Sequence, residues 1–347
     1  MTEPAAHEPL LAIRDLTVEF ATEDGVVHAV TGVSYDVFPG ETVGVVGESG
    51  SGKSVSVMSL LGLIPQPPGR ITDGQATFEG RDLLKMGKKA LRELRGGDVA
   101  MIFQDPMTSL NPVFTIGDQI GEAIQVHNPG VKDDEADQRV VDLLTLVGVP
   151  NPAQRVKQYP HEFSGGMRQR AMIAMAIANE PKLLIADEPT TALDVTIQAQ
   201  IIEVLKAAQH ETHAATILIT HDLGLVAELC DRVVVMYGGR VVETGDVYTI
   251  FANPRHPYTV GLMDSLPKLV GEEEMLRPIT GQPPSLINLP PGCAFHPRCF
   301  LSGGRMLCRT DVPPLRPIGD TAHLSACHFA EELQERHPER AAAGGHV

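Results

Sequence analysis

From Leu11 to Phe20 apolar and polar residues alternate, with Leu16, Val18 and Phe20 in phase, which predicts a half-buried strand. Asp24-Gly25 is a hairpin turn pair, and Val33, Tyr35 and Val37 alternate with Ser34 and Asp36 in another strand. Thr42–Val46, Val99–Phe103, Leu183–Ala186 and Ala215–Thr220 have a different pattern: short, almost continuously apolar and rich in β-branched residues. That is how strands read when a parallel sheet is covered on both faces. Val233–Met236 is a further strand, and Gly238-Gly239 turns it back into Arg240–Glu243. Ala76–Leu83 reads as a short strand pair, and Asp105–Pro112 as loop.

Helical patterns fall between the strands. Val55–Leu63 is apolar, Lys85–Arg95 charged, and Thr196–Gln209 and Phe163–Asn179 are helical, the latter ended by Pro181. Over Thr115–Val147, Leu143, Leu144 and Val147 form one apolar face while Asp133–Asp142 is acidic and exposed, as in an inserted helical subdomain spanning about 113–180. The fold class is therefore α/β, with a β-rich N-terminal part, an inserted helical part and a proline-rich, irregular C-terminal segment.

The chain has 347 residues, room for two domains. Lys and Arg number 28 against 44 Asp and Glu, a net charge of −16, which argues against a nucleic-acid-binding face. No apolar run approaches the ~20 residues that span a bilayer. Residues 1–9 read as a loose end without the layout of a signal peptide. A cytosolic protein is expected, with any membrane role arising through partners. Five cysteines then read as thiols or metal ligands sooner than disulfides.

Candidate chemistry concentrates where the buried strands end. After Thr42–Val46 comes Gly47-Glu48-Ser49-Gly50-Ser51-Gly52-Lys53-Ser54, the G-x-x-x-x-G-K-S pattern, followed by a helix. Glycines let the backbone curl so that successive N–H groups point at phosphate oxygens, and the helix N-terminus adds its positive end. Lys53 is placed to reach the β- and γ-phosphates, and the Ser54 hydroxyl to ligate Mg²⁺. Asp187-Glu188 closes the strand Leu183–Ala186. Beside a P-loop, Asp187 can hold Mg²⁺ through water and Glu188 can orient or deprotonate the attacking water. Gln104 and His221 end two further strands, at the sheet edge where open α/β sheets place ligands. Ser164 is an N-cap, and Gly165 and Gly166 leave N–H groups open to an anion. Phe20 is either a core aromatic or a platform for the nucleotide base.

These pieces, in this order over about Leu10–Phe251, resemble the ATP-binding-cassette (ABC) ATPases. The specific element is Ser164-Gly165-Gly166, the signature that many P-loop enzymes lack; Met167 stands where most of the superfamily has glutamine. Phe163-Ser164-Gly165-Gly166-Met167-Arg168-Gln169-Arg170, Gln104–Pro112 and Pro254–Thr259 are similar to the oligopeptide/dipeptide importer branch, and this likeness runs on to about Phe329. The resemblance implies an ABC nucleotide-binding domain over 10–252, a peptide-importer C-terminal domain over 253–330 and a flexible tail over 331–347. It implies a second ATPase subunit, often a different chain, closing head to tail around two ATPs. Ser164, Gly165 and Gly166 would serve the partner's ATP. Lys53, Glu188 and His221 would serve their own, with Gln104 beside the Mg²⁺ and Asp194 coupling the two sites. Two membrane permeases and an extracytoplasmic substrate-binding protein complete the expected assembly, with this chain peripheral on the cytoplasmic face.

Cys230 stands apart and reads as a buried structural thiol. Cys293, Cys299, Cys308 and Cys327, spaced C-x5-C-x8-C-x18-C, sit in a loop-rich segment that a metal centre would stabilise. The residues leave zinc, an iron–sulfur cluster and free thiols open, with His296, His323 and His328 as possible mixed ligands for Zn²⁺. Cys293–Cys299 resembles the C-terminal region of peptide-importer ATPases, some of which carry a [4Fe–4S] cluster, and this favours the cluster. Two competitors remain in view. One is an importer ATPase for nickel, glutathione or another solute; the other is a soluble cassette ATPase, which would require a second cassette, a basic surface or a long coiled coil.

Overall fold

The structure, a computed structural model, describes residues 8–191, 193–265, 279–319 and 321–333. The expected loose end at 1–9 and tail at 331–347 lie almost wholly outside the described residues, as do Ala192 and the acidic stretch 271–276. The chain divides into two compact units, one of Met1–Leu10, Val37–Thr42 and Lys85–Ile219, the other of Leu11–Asp36, Val43–Leu84 and Thr220–Val347.

In the first unit Val99–Ile102, Leu183–Asp187 and Ala215–Thr220 run parallel, Ile102 pairing with Ala186 and Ala186 with Leu218. Every residue of the last two strands is buried, which is why their sequence lacks alternation. Four longer helices belong here: Ile116–His127, Asp133–Leu146, Gly165–Ile177 and Val195–Thr212. Thr115 and Asp118 form a capping box on the first. The second buries Ala136, Val140 and Leu144, an i, i+4 stripe, so that Leu143, read as a core position, is only half-buried. Pro106–Ser109, read as loop, is a one-turn helix because the Asp105 side chain accepts from Met107 N–H at 2.8 Å.

The second unit holds two sheets. Leu11–Thr22 pairs antiparallel with Gly69–Phe78, Leu11 opposite Phe78 and Phe20 opposite Gly69, with Gly25–Val37 on the other side. Gly69–Phe78 begins well before the expected Ala76. Thr42–Val46 runs parallel to Arg232–Tyr237, which turns into the antiparallel Arg240–Asp246. Beyond it two-residue strands at Leu324–Ser325 and Arg316–Pro317 extend the same sheet, Glu243 opposite Ser325. Residues far beyond the last predicted strand thus finish a sheet that includes the strand leading into the glycine loop. A buried hydrogen-bonded pair fixes this edge: Glu243, fully buried, accepts from His323 Nε2 at 2.7 Å, from His256 N–H at 3.0 Å and from Arg255 N–H.

Candidate functional site

The glycine loop sits where the strand Thr42–Val46 meets the helix Lys53–Leu60. Its shape depends on glycine at two positions. Gly47 (φ +154°) and Gly52 (φ +97°) would place a Cβ 2.2 Å from the Met236 carbonyl oxygen and 2.3 Å from that of Ala29. No side chain caps the helix, since Gly52 stands at the N-cap, so the first-turn N–H groups keep the character of an anion site. Lys53 Nζ folds back over the curl, donating to the Gly47 carbonyl at 2.7 Å and the Glu48 carbonyl at 3.0 Å. Only 5% of Lys53 is exposed, so its charge is held inside the loop, where a phosphate oxygen can replace a carbonyl as partner. Ser51 Oγ is buried without a protein partner. Loop residues 48–51 line a cavity together with Tyr237, Gly238, Pro283, Pro284 and Leu286. Phe20 is half-buried with its ring against Gly69, and His221 is exposed just past the strand end, between Thr220 and the cap Asp222.

In the first unit the strand Leu183–Asp187 carries the acidic pair. Asp187 is 7% exposed; Glu188 follows with φ +47°, a left-handed conformation rare outside glycine, and its N–H donates to the Ile219 carbonyl at 2.8 Å. One carboxylate oxygen of Glu188, Oε2, accepts from Gln104 Nε2 at 2.8 Å and from Thr191 Oγ1 at 2.9 Å. Gln104 and Glu188, read separately from two strand ends, are therefore direct partners. Thr191 was not singled out; its place three residues after Glu188, across Pro189-Thr190, was the available signal.

Ser164 caps the helix Gly165–Ile177, its hydroxyl accepting from Met167 N–H at 3.3 Å. Gly165 faces open space, whereas a Cβ on Gly166 would lie 2.9 Å from Ile197 Cγ2. Asp194 caps the helix Val195–Thr212 by accepting from Ile197 N–H at 3.0 Å. Ile197 thus touches both the Asp194 cap and Gly166, so these two sequence-predicted elements share one neighbour.

The four tail cysteines line a single cavity with His296 and Phe295 among its walls. Burial raises every one of these thiols above its ordinary range, Cys299 to about 11 and Cys327 to about 12; Cys293 and Cys308 push Cys299 further up, and the other three thiols push Cys327 up. Backbone N–H groups of Phe295 and His296 oppose this at Cys293, those of Leu301 and Ser302 at Cys299, and that of Phe329 at Cys327. Among the described residues no group of three His, Cys, Asp or Glu side chains converges at single-ion distance. His323, one of the possible mixed ligands, is committed to Glu243, and Nε2 of His328 bonds the Asp311 carbonyl at 2.9 Å. Cys230, 6% exposed, is pushed up to about 12 by burial, as a packed thiol should be.

Residues 30–191 match the family model "ABC transporter", and residues 242–305 match "Oligopeptide/dipeptide transporter, C-terminal region". The dipeptide transport ATP-binding protein DppD of Bacillus subtilis (strain 168) is 50% identical over 338 residues, 97% of this chain and 98% of its own length. DppD of Escherichia coli (strain K12) is 52% identical over 320 residues, 92% and 96% of the two chains. Among solved structures, cbiO1 of Clostridium perfringens superposes with a TM-score of 0.59 at 28% identity, covering 71% of this chain and 91% of that one. The dimeric ATP-binding cassette MJ0796 bound to ADP and Pi, at 24% identity and TM-score 0.61 over 68% of this chain and 98% of that one, shares the fold.

Proposed function

The chain belongs to the dipeptide/oligopeptide family of ABC transporter ATP-binding proteins, and from that premise we propose how its residues hydrolyse ATP to drive peptide import. The observation that carries the reading is likeness at about 50% identity along nearly the whole chain, cassette and C-terminal region together. It is an ATPase that energises a peptide importer.

In this reading the loop Gly47–Ser54 holds the triphosphate through backbone N–H groups, Ser49, Gly50, Ser51 and Gly52 lying along it. Lys53 exchanges its carbonyl partners for β- and γ-oxygens. Ser54, Asp187 and Gln104 would be the residues to hold an Mg²⁺, which would supply positive charge against the phosphates. Phe20 stacks on the base. Glu188 takes a proton from the attacking water or orients it, and His221 contacts the γ-phosphate. Thr191 and Gln104 fix the Glu188 carboxylate until water and nucleotide arrive. Ser164, Gly165 and Gly166 complete the ATP site of a second ATPase subunit of different sequence, and Asp194 couples the two sites through Ile197. The functional division is a nucleotide-binding domain over 10–252, with its helical subdomain near 113–180, and a C-terminal domain over 253–330. Two permease subunits and an extracytoplasmic substrate-binding protein complete the assembly, this chain lying peripherally on the cytoplasmic face. Among the described residues no helix is long and apolar enough to cross a membrane.

The C-terminal thiols suit a polynuclear centre. They share one cavity, and three of them, Cys293, Cys299 and Cys327, face backbone donors that would stabilise thiolates. Cys293, Cys299, Cys308 and Cys327 would ligate a [4Fe–4S] cluster that cross-links the segment; a structural role suffices. Elemental analysis of protein made anaerobically with iron supplied should give about four irons per chain. One zinc and no iron would overturn the cluster. The ATPase reading is tested by co-purification from membranes: permeases and a second cassette chain should accompany this one, and their consistent absence would count against it.

A further inference from the structure

Glu48 lies inside the glycine loop, and its N–H, its carbonyl and its carboxylate each have a partner within the protein. Its N–H donates to Tyr258 Oη at 2.7 Å. Its carbonyl accepts from Lys53 at 3.0 Å and from Ser51 N–H at 3.2 Å. Its carboxylate is gripped on both oxygens by Arg298, Nη1 to Oε2 at 2.6 Å and Nη2 to Oε1 at 2.9 Å. Arg298 is itself built in. Its side chain is 6% exposed, its Nε donates to the Thr280 carbonyl at 3.0 Å, and its guanidinium lies 5.9 Å from the ring centres of Tyr237 and Phe295. Tyr237, Tyr258 and Phe295 pack on one another with centroids 4.6 to 5.4 Å apart. Phe295 and the neighbouring Cys299 line the cysteine cavity, so the turn that presents a thiol also presents the clamp.

We propose that Arg298 is a positioning residue of the nucleotide site: through Glu48 it holds the P-loop in its phosphate-binding curl and cancels a negative charge beside the phosphates. The inference rests on the P-loop being the ATP site. Both effects follow from geometry. A forked guanidinium on a carboxylate fixes direction as well as distance. Without it, a carboxylate held in a loop meant for a triphosphate repels the ligand. The C-terminal segment therefore contributes to ATP affinity without touching ATP.

The test is a titration of the full chain with a fluorescent, non-hydrolysable ATP analogue and Mg²⁺, reading Kd and stoichiometry separately. Arg298→Ala should raise Kd about tenfold, as for loss of a hydrogen-bonded charge pair, with stoichiometry near one. Arg298→Lys, which keeps the charge and loses the fork, should fall between Ala and the parent. Glu48→Gln should weaken binding only about threefold, and the double variant should resemble Glu48→Gln, because removing the carboxylate removes the repulsion. A merely structural role would lower the binding-competent fraction and the unfolding temperature and leave Kd alone; that result overturns the proposal, as does strict additivity in the double variant. Should Arg298→Ala fail to fold, Arg298→Lys and Glu48→Gln decide: parent-like Kd in both refutes it, a raised Kd in both supports it. Lys53→Ala separates the premises. If it too leaves Kd unchanged, the P-loop reading has failed; if it alone weakens binding, only the clamp has failed.

Discussion

Replacing Glu188 with glutamine isolates its chemistry from its architecture. In the parent, Oε2 accepts from both Gln104 Nε2 and Thr191 Oγ1, and both partners are donors. A glutamine amide oxygen can accept both bonds with its NH₂ turned away, so the strained backbone at φ +47° keeps its support. Each bond weakens from charge-assisted to neutral, by about 1 kcal/mol, too little to unfold a chain of this size. What is lost is the basic oxygen. General-base or water-positioning contributions are about 10²–10⁴-fold, about 3–5 kcal/mol on the barrier. The assay is steady-state phosphate release by the purified transporter, with the substitution at the equivalent position of every ATPase subunit it contains, so that no unsubstituted site can carry the turnover. We expect ATP binding close to parent, phosphate release slowed at least about a hundredfold, and a nucleotide-bound closed pair that accumulates. Phosphate release near the parent rate would refute the assignment of Glu188.

Two further substitutions test the loop and its anchor. Gly52→Ala, whose Cβ would meet the Ala29 carbonyl oxygen at 2.3 Å at φ +97°, should weaken nucleotide binding at least about tenfold, whereas Gly50→Ala, at φ +76° but facing open space, should do so less; equal effects in a binding titration would contradict the geometry. His323→Ala leaves the fully buried Glu243 carboxylate with backbone partners alone and should cost about 3–5 kcal/mol, visible as a drop in unfolding temperature of at least about 5 °C; an unchanged transition would show that the pair carries no stability.

The strands that form the buried parallel ladders were legible because burial on both faces forces continuous β-branched runs, and Leu183–Asp187 and Ala215–Thr220 appear where that pattern stands. The glycine loop was legible because its backbone tolerates few residue types, and Gly47 and Gly52 show why. Ser164 was recognisable as a cap because the helix behind it is long. Other features carry no local pattern. Gly69–Phe78 begins with Gly69-Arg70-Ile71-Thr72-Asp73-Gly74, whose polar residues face outward and whose pairing with Leu11–Thr22 supplies the order. Arg316–Pro317 and Leu324–Ser325 are too short for periodicity and exist because Arg240–Asp246 offers an edge. Thr191 acts through a side-chain bond across a turn, and Arg298 meets Glu48 from 250 residues away. Contacts of that separation are set by tertiary packing, which a single sequence does not display.

The most direct test of the account is ATP-driven uptake. The transporter should be reconstituted with this chain into vesicles holding ATP and Mg²⁺ inside, with its substrate-binding protein and a labelled dipeptide outside. The account predicts uptake that requires internal ATP, stops when this chain is omitted and collapses with Glu188→Gln at the equivalent position of every ATPase subunit. Uptake that proceeds without this chain or without ATP would contradict it.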